Sequence, residues 1–359
     1  MARFTDIFDD VTKQGRKIPT NEYLERGMHP IIDQGQKEIA GYSNEEAGLF
    51  CDVPAIIFGD HTRVIKYVDT PCFLGADGVK LLKAKKSNAN YKYLFYALSS
   101  ADIPNTGYNR HFKWLKEVEI PTHTENEQND IVAVLDKVSG LIALRKQQLQ
   151  KLDELVKSRF VELFGTCAKL KRLEEYASLI TKGASPKWQG VDYCEEGVLF
   201  VTSENVREGY LDFSKRKYLD DKINEIQPRS MLKRNDILIN IVGASIGRAA
   251  VYNCDEIANI NQAVALVRVD YSRINQTYLM TYLNSAQAIE MYGKIKKGGA
   301  RDNLSLQNIA DLQIPVASME LQEQFSAFVK QTDKSKLAIQ QSLDKLELLK
   351  KALMQRYFG

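Results

Sequence analysis

The chain has 359 residues, 44% hydrophobic and 26% charged, with a formal net charge of +3. That leaves room for two domains with cores of their own, and no apolar run approaches the roughly 20 residues of a membrane span. The five cysteines (Cys51, Cys72, Cys167, Cys194, Cys254) are scattered and form no C-x-x-C pair. This argues against a disulfide framework or a zinc site and points to a reducing, cytoplasmic compartment.

Met1 to Asp10 is acidic and broken by charges, which is not the pattern of a signal peptide. Residues 53–58 form a short β-rich run, and Tyr91 to Ser100 reads as a short helix. A longer helical pattern follows, with Glu127, Ile131, Val134, Val138, Leu141, Arg145, Gln148, Leu152 and Leu155 spaced three and four apart. Residues 198–202, 237–242 and 263–269 are further β-rich runs, and Thr277 to Ser285 is a second short helix. Leu321, Phe325, Phe328, Thr332, Ser335, Ile339, Ser342, Leu346, Leu349 and Leu353 then repeat the coiled-coil spacing.

The two long helical stretches belong to one repeat. Leu115 to Gly165 lies over Ile309 to Gly359 without a gap, each copy opening on Ile-Pro and closing on Phe-Gly. A period this long marks two half-molecules rather than a solenoid. The predicted fold is α+β, with two globular α/β blocks separated by two long antiparallel coiled-coil helices in a pseudo-two-fold plan. The boundaries fall at 1–115, 116–168, 169–308 and 309–359. A helix of about 35 residues spans on the order of 50 Å and exposes an apolar stripe when alone, so each helix needs a partner. The other copy is the nearest candidate; a dimer interface between chains is the alternative.

No catalytic or metal motif is legible. A phosphate loop, an Asn-Pro-Pro-aromatic motif, H-E-x-x-H and a G-x-S-x-G elbow are all absent from the sequence, and the four histidines lack metal-ligand spacing. Asp60 and Lys66 are at most half a nuclease site, a pairing that arises by chance. What remains are cationic loops suited to a polyanion. The most basic block, 169–308, carries 20 Lys plus Arg against 17 Asp plus Glu, so local patches must do the binding. In the second block these are Lys182, Ser185, Lys187 and Trp188; Lys215, Arg216 and Lys217; and Lys294, Lys296, Lys297 and Arg301 around Gly298-Gly299. In the first they are Arg16 and Lys17, the loop Thr106-Gly107-Tyr108-Asn109-Arg110-His111, and the lysines at 83, 85 and 86. Long cations reach phosphate oxygens, while Arg, Lys, Asn and Gln can read base edges.

Several phrases carry a resemblance. They are Lys182-Gly183-Ala-Ser185-Pro186, the turn Gly243-Ala-Ser245-Ile246-Gly247-Arg248, the pair Asn261-Gln262, and Ile314-Pro315-Val316 before the last helix. With the long repeat, the whole chain resembles the DNA-specificity subunit of type I restriction-modification systems. The first block resembles another branch of the same domain family, through residues 27–35 and 54–62, and lacks the Gly-x-Ile-Gly turn. The resemblance implies two target-recognition domains with two helical spacers, reading a bipartite word in double-stranded DNA. It adds Ser245 and Arg248 to the candidate contacts. It also implies a chain with no catalytic residues and no cofactor or metal of its own. Two methyltransferase subunits would use S-adenosylmethionine, and restriction subunits would use ATP and Mg²⁺; no membrane is involved. A non-catalytic coiled-coil scaffold that does not read DNA is the alternative.

Overall fold

The computed structural model describes residues 1–167, 169–297 and 303–359, apart from the side chains of Lys296 and Lys297. They cluster into two units, Met1–Gln147 with Gln340–Gly359, and Gln148–Ile339. Two helices of 40 residues, Glu125–Phe164 and Met319–Phe358, each contribute to both units.

In the first unit Phe8–Asp10, Val79–Ala84, Ala55–Gly59 and Ile65–Val68 form one antiparallel sheet in that order. Ala55–Gly59 is apolar and buried throughout because both sheet faces are covered. Ile56 and Phe58 join the core under the helix Tyr91–Ser100, while Ala55 and Ile57 face a second cluster with Ile32, Leu74 and Leu81. That division follows from the two-residue period of a strand. The second unit repeats the scheme with Ala177–Lys182, Val264–Val269, Ile237–Asn240 and Ala249–Val251. There Ile237 and Ile239 enter one core and Leu238 the other. Each unit also holds a parallel strand pair in a second sheet, three-stranded in the first unit and four-stranded in the second: His29–Ile32 with Phe73–Leu74, and Val198–Val201 with Ala258–Ile260.

The repeat seen in sequence extends to individual hydrogen bonds. Asn90 caps Tyr91–Ser100 by accepting from the Tyr93 amide at 3.0 Å, and Asn275 caps Gln276–Leu283 by accepting from Thr277 at 2.9 Å. Tyr93 donates to the Pro121 carbonyl at 2.7 Å, and Tyr278 to that of Pro315 at 2.8 Å. Gln128 and Gln322 each reach back 2.9 Å to a carbonyl just before their long helix, those of His123 and Ala317. Burial drives the Tyr93 hydroxyl up to about 12, so it stays a donor across ordinary pH.

Within each unit the two long helices pair antiparallel. In the first, Lys146 bridges Glu347 at 2.9 Å, while Leu353, Met354, Tyr357 and Phe358 pack on the core that holds Ile131 and Leu135. In the second, Lys336 bridges Asp153 at 2.6 Å, and Phe160 and Phe164 meet Phe325 with ring centroids 5.4 and 5.6 Å apart. The expected seam shifts in detail: Leu343 is buried where Ser342 was expected, and Leu349 stays 46% exposed. At both ends the buried face is dictated by the globular core, which is wider than a coiled-coil seam.

Candidate nucleic-acid interface

In the second unit, backbone contacts gather three separated loops. Gly183 follows the strand Ala177–Lys182, and a Cβ there would lie 1.7 Å from the Ile260 carbonyl oxygen. Only glycine permits that approach, and it seats the Lys182-to-Trp188 loop against Ile260 and Asn261. Asn240 is fully buried, and its amide nitrogen lies 3.0 Å from the Ser203 carbonyl, 3.3 Å from that of Val206 and 3.1 Å from the Ser245 hydroxyl. The Gly243-to-Arg248 turn is thereby fixed beside residues 203–206, and the Ile241 amide ties it to Ala263 at 2.9 Å.

On this face Lys182, Lys187 and Arg248 are exposed, and Trp188 is 86% exposed although it is among the largest apolar side chains. An exposed indole flanked by cations suits stacking and phosphate contact. Ser185 is half-buried at the start of the short helix Pro186–Gln189, and Ser245 is held by Asn240. Arg216 bridges Glu256 at 2.8 Å and Lys217 bridges Glu204 at 3.1 Å. The Arg216 guanidinium is held above its usual range by hydrogen bonds to Tyr218 and Glu256, and the Glu204 carboxyl below its range by Lys217. Those two cations are already partnered, whereas Lys215 is exposed without an ion pair among the described residues. Lys294 pairs with Glu290 one helical turn away, at 2.8 Å. Gly298, Gly299 and Arg301 lie outside the described residues, as do the side chains of Lys296 and Lys297.

The first unit builds its exposed loop differently. Buried Asp60 accepts from the Phe112 amide at 2.8 Å, and its carbonyl takes the His111 amide at 2.7 Å and Nδ1 at 2.9 Å. His111 is fully buried, so it holds the loop from inside instead of facing a ligand as expected. Its position at a loop end looked exposed in sequence; the Asp60 backbone contact draws it in. Asn109 turns its amide onto the Thr106 carbonyl at 2.5 Å, while Arg110 is exposed. Arg16 is paired with Glu45, and Lys17 is exposed. Lys83 is tied to Asp52 at 2.9 Å and Lys85 to the Thr5 carbonyl at 2.7 Å, so both hold structure. Lys66 pairs with Asp33 at 3.5 Å and, among the described residues, shares no partner with Asp60.

The loop Thr106 to His111 is a candidate from sequence, but the stacking of its Tyr108 on His61, at 4.7 Å with 8° between planes, is not legible there. Tyr108 is 88% exposed. The residues lie 47 positions apart with no periodic relation, and only the exposed tyrosine in a Gly-containing loop hinted at them.

Comparison with known proteins agrees with this architecture. The sequence model of the type I restriction modification DNA specificity domain matches residues 1–154 and 172–349. The chain is 24% identical over 322 residues to the type I restriction enzyme EcoBI specificity subunit of Escherichia coli, covering 79% of this chain and 64% of that one. It is 21% identical over 329 residues to the EcoR124I/EcoR124II specificity subunit, also of Escherichia coli, covering 85% and 80%. Among solved structures, the S subunit of a type I system from M. genitalium superposes with a TM-score of 0.60 at 17% identity, covering 99% of this chain and 95% of that one. A chain from a structure describing assembly and conformational transition of the type I R-M system gives 0.56 at 17% identity, with the same coverage. These likenesses bear on the fold. The family match spans most of the chain, and the chain belongs to the type I restriction modification DNA specificity domain family.

Proposed function

We propose that this chain is the sequence-reading subunit of a type I restriction-modification complex. Each block reads one short word of double-stranded DNA. The long helices dock two methyltransferase subunits, which use S-adenosylmethionine, and restriction subunits, which use ATP and Mg²⁺. The chain supplies recognition and its partners supply catalysis. The carrying observation is that both units share one hydrogen-bonded framework and present unrelated loops on it, Tyr108 and Arg110 in one and Lys187, Trp188 and Arg248 in the other. Phosphate contacts from the cations position the complex, and a few side chains specify bases. Methyltransferase partners flip the adenine, which calls for deformable DNA.

The test is reconstitution with the cognate methyltransferase subunits, followed by mapping of methylated adenines and of protected DNA. A bipartite word is expected. Protection without sequence preference would overturn the reading in favour of a scaffold. Replacing Lys187, Trp188 and Arg248 together by alanine should weaken binding roughly tenfold or more, from lost stacking and phosphate contacts. Loss of two cations should also flatten the log–log salt dependence by roughly 2. An unchanged slope would make this face solvated surface only.

A further inference from the structure

We propose that His61, braced by Tyr108, reads an exocyclic amino group, adenine N6 or cytosine N4, in the half-site of the first block. This rests on the DNA-reading function above and assigns one of its specificity-determining residues. His61 Nδ1 lies 3.2 Å from the Asn109 carbonyl oxygen. A carbonyl only accepts, so Nδ1 carries the proton, and in that tautomer of the imidazole Nε2 is the acceptor. Among the described residues Nε2 has no hydrogen-bond partner.

The ring is held in place. Tyr108 covers one face, and Gly78 closes on its edge at φ +80°, where a Cβ would sit 2.7 Å from His61 Cδ2. The His61 amide donates to Gln34 Oε1 at 3.1 Å, and Gln34 Nε2 donates to the Asp77 carbonyl at 3.0 Å. An acceptor fixed in this way is unsuited to phosphate, whose oxygens also accept. In the major groove the complementary donors are the amino groups of adenine and cytosine. Neighbouring Arg110, exposed and without an ion pair among the described residues, is free for the backbone.

The experiment uses the full chain in its methyltransferase complex, with duplexes in which each adenine or cytosine of the first word is replaced by an analogue lacking the amino group. One position should weaken wild-type binding about fivefold to tenfold, the scale of one hydrogen bond. His61→Ala should be indifferent at that position and tolerant of other bases there. Tyr108→Ala, at an exposed ring, should blunt discrimination at the same position, and the second word serves as the folding control. If no position responds to amino removal, or if both variants keep wild-type discrimination, the inference is overturned. A wild-type complex that selects no word at all would instead overturn the DNA-reading function itself.

Discussion

Phe325→Ala should destabilise the second unit by about 3–5 kcal/mol, the cost of deleting a buried phenylalanine and leaving its cavity. Phe325 is fully buried against Phe160 and Phe164, which in turn pack on Tyr278. The position joins the two long helices to each other and to the core in one contact set. In thermal unfolding of the full chain, the transition of this unit should fall by roughly 6–20 °C. Hydrogen exchange should show the loss at amides of residues 148–339, with residues 1–115 keeping their protection. Leu349→Ala, at a half-exposed place on the same helix, should stay within about 0.5 kcal/mol. A loss of equal size at both positions would mean that the helix pairing, rather than the aromatic core, carries the stability.

The contrast between these leucine and phenylalanine positions shows how far the sequence could be read. Long helices announce themselves through spacing, and both were legible, as were strands such as Ile237–Asn240 with its continuous apolar run. The face each helix buries was less legible, because Phe325 answers to a globular core as well as to the facing helix, and Leu343 is buried one position from the expected Ser342. In the second block the candidate loops carried local signals, since glycine, proline and tryptophan punctuate them within a few residues. The first block's surface is assembled from Gln34, His61, Gly78 and Tyr108, four stretches that only tertiary hydrogen bonds bring together. Charge was the least dependable guide. Arg16, Lys83, Arg216 and Lys217 look alike in sequence to Lys187 and Arg248, yet they are occupied by acidic or carbonyl partners.

Gly183→Ala should remove discrimination by the second block while leaving the word of the first block intact. The Cβ would stand 1.7 Å from Ile260 O, 2.4 Å from Ile260 C and 2.9 Å from Asn261 C. All three are backbone atoms, so no side chain can swing aside. Ile260 cannot retreat either, because it is paired with Val201 in the parallel strands and sealed in the core. On the other side, Lys182 is held in register with Ala265. The loop after Gly183 must therefore move, carrying Lys187 and Trp188 with it. Overpacking of this kind costs about 1–3 kcal/mol and more where nothing yields, so a lower melting point of the second unit should accompany the functional change. Methylated adenines mapped with the reconstituted complex would then show one stringent word and one degenerate word. Two stringent words from a Gly183→Ala protein of reduced stability would mean that the Lys182-to-Trp188 loop is not part of the reading surface.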